Sequence, residues 1–253
     1  MNKTIVYQSD NLIVTCYNPD KPHLMVSYDH RRLDRPGFPP PNPSKFFRKN
    51  DLAFLTIYSA HNDWFLSPDL PDLRKRLSDF TRPYAHITGI GYSMGGYGVL
   101  LLARETRVKQ VVLVSPQSSV IPAHVPFETR YLQEAAMLDP TLDTLAVKPR
   151  KGLRGCLLFD PTHRIDTQHA NRITGLFPNI RRVPLPFGGH PAMQVISAAN
   201  MYHKVQQELL RQRIRPAEFL RIHKQARRQS PHYQAQLARY LADRTARPAK
   251  SAP

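Results

Sequence analysis

The sequence is poor in several things, and each shortage excludes a class of protein. It has only two cysteines in 253 residues, Cys16 and Cys156, both inside β-rich apolar stretches far apart in sequence. That is no disulfide framework, and it predicts two buried free thiols in a reducing compartment, with the cytoplasm as the expected location. Long hydrophobic runs are missing as well. Val99–Ala103 and Val111–Val114 are among the longest and fall far short of a bilayer span. The first ten residues, MNKTIVYQSD, contain no apolar h-region, so no secretory signal is expected. Neither H-E-x-x-H nor a cysteine pair occurs, so no metal and no cofactor are expected. No nucleic-acid-binding module is recognisable, and specific nucleic-acid binding is not expected.

Acidic residues are also scarce, with 19 Asp and Glu against 36 Lys and Arg, for a formal charge of +17. The excess is steepest at the C-terminal end. From Lys204 onward there are twelve Lys or Arg and only Glu208, Glu218 and Asp243 as acids. Such a field permits attraction to an anionic membrane surface or an acidic protein, and one or the other is the candidate partner of this end if its two helices are more than a docked hairpin with a solvated basic face.

What is present is an alternation of strand and helix signals. Strands are expected at Asn11–Tyr17, His23–Tyr28, Leu52–Tyr58, His86–Gly91, Gln110–Ser115, Leu153–Phe159 and Arg181–Leu185. Helices are expected over Ser67–Phe80 with Ser67 as N-cap, Met94–Arg107, part of 128–138, Asp166–Leu176 and Pro191–Arg211, with a short one at Pro43–Lys49. Beyond Pro216 two amphipathic helices, AEFLRIHKQARR and HYQAQLARYLADR, precede a tail with the composition of a disordered segment. The pattern predicts an α/β fold with a mostly parallel sheet covered by helices on both faces. Its divisions are a main domain at 1–212, with 116–151 as a partial lid, a basic helical extension at 213–245 and a tail at 246–253.

The stretch ITGIGYSMGGYGVLLLARE places Gly91-Tyr92-Ser93-Met94-Gly95, a G-x-S-x-G, between a strand and a helix. A serine at the apex of so tight a turn needs minimal side chains two positions to either side, and Gly91 and Gly95 supply them. The Met94 N–H then faces the place where an oxyanion would form. A dinucleotide-binding turn fits less well, because the third glycine of G-x-G-x-x-G is replaced by Met94 and the next strand ends without an acid. A serine nucleophile needs a base and an orienting acid. His190 follows a strand in a Gly-Gly loop, and Asp160 directly follows another, with Asp166 six residues later.

The motifs GYSMGG, LLFD and FGGH resemble the α/β-hydrolase superfamily over about residues 5–211. SMGGYGVLLLA followed by VVLVSPQSSV is similar to small bacterial members encountered near surface-polysaccharide biosynthesis genes. The resemblance implies a triad of Ser93, Asp160 and His190, with Asp166 as second candidate for the acid. It further implies a second oxyanion donor in the loop after His23–Tyr28, among Asp29, His30 and Arg31, with His30 chosen beside Met94. Asp29, Arg31, Asn62, Trp64, Tyr92 and Gln117 flank the same crevice and are expected to meet substrate, Trp64 by stacking on a sugar or acyl chain. The expected activity is ester or thioester cleavage through an acyl-enzyme, on a small or carbohydrate-linked acyl substrate. Alternatives are an acyltransferase with the same triad, or a noncatalytic scaffold acting through its basic end.

Overall fold

The structure is a computed structural model that describes residues 2–34, 37–39, 46, 49–50 and 52–245. The expected helix at Pro43–Lys49 falls largely outside these residues, and the tail at 246–253 falls wholly outside them. Eight strands form one sheet: β1 (Lys3–Gln8), β2 (Leu12–Tyr17), β3 (His23–Tyr28), β4 (Ala53–Ser59), β5 (His86–Tyr92), β6 (Gln110–Val114), β7 (Arg154–Phe159) and β8 (Ile180–Pro184). Their order is β1-β2-β4-β3-β5-β6-β7-β8. β2 pairs antiparallel with β1 and β4, and every pairing from β4 to β8 is parallel.

Side-chain alternation splits the core across the sheet. Val111 and Leu113 of β6 join one cluster, while Val112 and Val114 join the other. All four are buried, as the continuous apolar run of a central parallel strand requires. On the first face lie α1 (Leu70–Thr81), α2 (Met94–Leu101) and α4 (Arg164–Leu176). α1 presents Leu70, Leu73 and Leu77, and α4 presents Ala170 and Ile173. On the other face lie α5 (Gln194–Ala198), α6 (Tyr202–Leu209) and α7 (Pro216–Ala226), the last burying Phe219, Ile222 and Ala226. A short α3 (Leu132–Ala135) lies within 116–151, and α8 (Pro231–Thr245) closes the described chain.

The elements depart from expectation in four places. β1 was not expected; only Val6 of its six residues is buried, so it lacks an alternating apolar face. The expected continuous helix Pro191–Arg211 is broken into α5 and α6, with Asn200 at φ 54° between them. α2 ends at Leu101, six residues before the expected Arg107, with Arg107 itself at φ 52°. Asp69 occupies the α1 N-cap, while Ser67 is buried two residues earlier. Both cysteines are free and buried, and burial pushes the Cys16 thiol up to about 11. No helix among the described residues is long and apolar enough to cross a membrane.

Candidate active site

Ser93 sits between β5 and α2 at φ 49° and ψ −120°, a conformation that costs a non-glycine residue on the order of 1–3 kcal/mol. The turn is held from both sides: the Ser93 N–H bonds the Val114 carbonyl at 2.9 Å, and the Ser93 carbonyl accepts from Gly96 N–H at 2.9 Å. A Cβ on Gly91 would lie 2.4 Å from the Gly95 carbonyl oxygen. One on Gly95 would lie 2.7 Å from the carbonyl oxygens of both Tyr28 and Asp29. The two glycines therefore permit the tight turn and let the first turn of α2 rest on the end of β3.

The turn delivers the hydroxyl to a histidine. Ser93 Oγ lies 2.9 Å from His190 Nε2, and His190 Nδ1 lies 2.7 Å from Asp166 Oδ2. The acid against the imidazole is thus Asp166, and the expectation that Asp160 fills this place is corrected. Asp160 instead clamps the histidine loop. Its carboxylate accepts from Phe187 N–H at 3.1 Å and Gly189 N–H at 2.9 Å, and from both donors of Thr162. α4 begins at Arg164 with His163 as N-cap, so its first turn projects Asp166 toward His190. Burial works to raise the Asp166 pKa, but the hydrogen bond and charge of His190, with Arg130 and His163, outweigh it and hold the carboxyl below its usual range. The His190 side chain keeps 19% exposure while Asp166 keeps 1%, an orienting carboxylate shielded behind a base that a ligand can reach.

Gln117, expected to reach substrate, is fully buried and meets the serine itself. Its Oε1 accepts from Trp64 Nε1 at 3.2 Å, which fixes the amide so that Nε2 donates to Ser93 Oγ at 3.1 Å. Trp64 is accordingly no exposed stacking platform: it is fully buried against Tyr131, ring centroids 4.9 Å apart. Tyr131, which the sequence placed in the lid, has the guanidiniums of Arg31 and Arg130 over its ring, 5.4 and 5.1 Å from its centroid.

Three further expected substrate contacts are tied into the scaffold. Asp29 is buried and faces Arg32 at 3.5 Å. Asn62 brackets the Arg32 backbone through both ends of its amide, at 3.1 and 2.7 Å. Tyr92 shares a 2.6 Å hydroxyl contact with Tyr202 of α6. Arg31 pairs with Glu134 at 2.6 Å and, with Asn62, lines a cavity of about 490 Å3 that also includes His61, Asp63, Ser67 and Met137.

The candidate oxyanion donors differ from expectation. Met94 N–H, at the first position of α2, bonds no other described residue. In the loop after β3, Asp29 N–H is given to the Ile57 carbonyl at 2.9 Å and His30 N–H to the Asp29 carboxylate at 2.9 Å. His30 is thus corrected as second donor, and Arg31 is the one of the three whose N–H has no hydrogen bond to a described residue.

Sequence reasoning missed Arg130 and the buried group behind it. Arg130 donates to Asp166 Oδ1 at 2.9 Å and forks onto both oxygens of Glu128. Glu128 Oε2 lies 2.8 Å from His169 Nε2, and His169 Nδ1 lies 3.0 Å from both the Ser118 N–H and the Ser118 Oγ. Asp166 and His169 are three residues apart on α4, a spacing that places both on one helix face and was the available signal. The basic extension touches the site's rear: Tyr233 and Tyr240 of α8 pack on Phe187, and His232 Nε2 meets the Phe187 carbonyl at 3.0 Å. Among the described residues no group of three or more His, Cys, Asp or Glu is placed to hold a metal ion.

No family model matches the sequence, and no curated protein matches it. Solved structures do match. The capsule O-acetyltransferase of Neisseria meningitidis serogroup A superposes with a TM-score of 0.55 at 13% identity, covering 79% of this chain and 93% of that one. Est1E from Butyrivibrio proteoclasticus gives 0.48 at 15% identity, covering 79% and 96%. At 13% identity the first of these likenesses speaks to architecture alone, and with the strand order and the serine turn it shows that this chain has the α/β-hydrolase fold.

Proposed function

We propose that the chain is a serine-dependent acyl-transfer enzyme that opens an ester or thioester through an acyl-enzyme on Ser93. The observation that carries this reading is the unbroken contact from Ser93 Oγ through His190 to Asp166, at 2.9 and 2.7 Å, on a serine in a strained turn. Ser93 Oγ attacks the acyl carbonyl while His190 Nε2 takes its proton. Asp166 accepts from Nδ1–H, fixing the tautomer and stabilising the imidazolium. Negative charge on the carbonyl oxygen is met by Met94 N–H at the start of α2, with Arg31 N–H as the remaining donor on the β3 side. Collapse of the intermediate expels the alcohol or thiol, which takes the proton from His190. A second nucleophile, activated by the same imidazole, then releases the acyl group.

Whether that nucleophile is water or a sugar hydroxyl decides between esterase and acyltransferase. The fold shared with a capsule O-acetyltransferase favours an acyl group carried on, or delivered to, a hydroxyl-rich carbohydrate. Incubation with p-nitrophenyl acetate and thioacetyl donors, followed by intact-mass and peptide mapping, is expected to show a 42 Da adduct on Ser93 (about the mass of one acetyl group). Addition of acceptor sugars should then accelerate its loss if transfer is the reaction. A folded protein that never acylates on Ser93 would reject the proposal.

A further inference from the structure

The sheet has a second functional-looking end. Ser93 and the His190 loop follow the carboxyl ends of their strands, whereas a cavity of about 910 Å3 opens where β6, β7 and β8 begin. A five-residue strand is about 17 Å long, so this cavity is separated from the serine by roughly the length of a strand. Its lining shares no residue with the candidate active site.

The cavity wall carries Lys109, Arg150, Arg154, Arg181, Arg213 and Arg215 and no Asp or Glu. Arg215 is matched from outside the lining by Glu208 at 2.7 Å. Arg150 is spent on the Ala103 carbonyl and Lys109 on the Ala85 carbonyl, neither of which neutralises charge. Arg154, Arg181 and Arg213 form no side-chain hydrogen bond or ion pair with any described residue. The field is felt nearby: after burial, the charges of Lys109 and Arg154 are what hold the His86 imidazole below its usual range.

The backbone that carries the cationic wall is also fixed in place. Buried Gln110, the first residue of β6, donates from Nε2 to the Arg211 carbonyl at 3.2 Å and accepts the Ile214 N–H at 3.1 Å. That clamp ties the segment bearing Arg213 and Arg215 to the sheet. On the other side, Asn179 Nδ2 donates to the Lys151 carbonyl at 3.1 Å, joining the turns before β7 and β8. Like charges held in a concavity focus potential, and guanidinium forks match phosphate oxygens in pairs.

We propose that this cavity binds a compact polyphosphate anion. The volume lies in the range of small-molecule sites, about 300–1,000 Å3. The lining has no aromatic residue, so nothing there can stack on a base. Recognition is therefore of the phosphate chain itself, whether inorganic or borne by a nucleotide.

The test is titration calorimetry of the full chain with sodium tripolyphosphate, ATP and adenosine at low and high salt. Tripolyphosphate and ATP are expected to bind one per chain, to compete with each other and to weaken as salt rises, while adenosine does not bind. Arg154→Glu combined with Arg181→Glu should weaken tripolyphosphate at least tenfold. Arg239→Glu combined with Arg244→Glu, the same charge change placed on α8, should alter it less than threefold. Should the first pair fail to fold by thermal melt, Arg154→Gln with Arg181→Gln carries the same expectation. Equal losses in the two pairs, several equivalent sites per chain, or no binding to the wild type would overturn the proposal. Tighter binding to a 20-base-pair duplex, lost in the Arg154/Arg181 variant, would overturn it in favour of nucleic acid.

Discussion

Two serine–histidine–carboxylate groups lie side by side in this molecule. In one, Ser93 Oγ, His190 and Asp166 are linked at 2.9 and 2.7 Å; in the other, Ser118 Oγ, His169 and Glu128 are linked at 3.0 and 2.8 Å. Residue types and distances alone do not separate a reactive site from a brace. What separates them is the surroundings. Ser93 is strained at φ 49°, beside a helix N-terminus whose first N–H is free of described partners, and His190 is part exposed. Ser118 and His169 are buried, and the Ser118 N–H already occupies the His169 Nδ1 lone pair that would have to take a proton. Burial holds the His169 pKa below its usual value despite Glu128. The second group is therefore structural. His169 anchors Glu128, Glu128 anchors Arg130, and Arg130 holds Asp166.

The sharpest way to break this contrast is to delete each serine. Ser93→Ala is expected to lower acetyl-ester turnover by about 10^5-fold or more, as removal of a nucleophile does elsewhere, in steady-state assays. Ser118→Ala should leave kcat within threefold and lower the melting temperature instead. The carboxylates extend the comparison. Asp166→Asn is expected to cost on the order of 10^4-fold in kcat, because the imidazole loses the partner that sets its tautomer. Asp160→Asn should act mainly by loosening the Phe187–Gly189 backbone, with a loss nearer tenfold. Equal losses in the two variants would undo the assignment of the acid.

A smaller effect is expected behind the site. Glu128→Gln takes from Arg130 one of its two carboxylate partners and from His169 its charged partner, and should destabilise the fold by about 3 kcal/mol, the usual cost of halving a buried pair. In a chain of this size that is a fall of roughly 6–12 °C in Tm by calorimetry. Activity should drop about tenfold, through Arg130 and Asp166, and an unchanged Tm would remove Glu128 from the brace.

The smallest effects are in pH dependence. His169 and His223 have folded pKa values lowered by burial, that of His223 to about 4. The unfolded chain protonates them first, so stability is expected to fall as pH drops below about 6.5. Glu128 is held at about 2, burial working against it and the His169 and Arg130 hydrogen bonds prevailing. Its contribution is present above the ordinary carboxyl pKa and lost as pH falls from about 4.5 toward 2. Melting curves from pH 8 to 2.5 should show both limbs in the wild type, and only the upper limb undiminished in Glu128→Gln.

How much of this was legible follows the range of the forces. The serine turn was readable because its requirements are local: an apolar strand, two glycines and an apolar helix within fifteen residues. His190 was readable by its place after a strand. The choice between Asp160 and Asp166 was not, because both follow β7 and the outcome depends on where His163 starts α4. Trp64 and Gln117 were placed in the crevice but not in contact with each other, a pairing set by side-chain directions across two loops. Arg130 was hidden inside a stretch read as helix, and its partners come from elements 2 and 36 residues away. β1 escaped because an edge strand with one buried residue has no apolar pattern to find.

The central claim is that the first of the two groups is reactive and the second is not. Fluorophosphonate labelling of the native full chain, with peptide mapping of the adduct, tests it most directly. The expected result is one adduct, on Ser93, retained in Ser118→Ala and lost in Ser93→Ala. No adduct on the folded wild type, or an adduct on Ser118, would contradict the account.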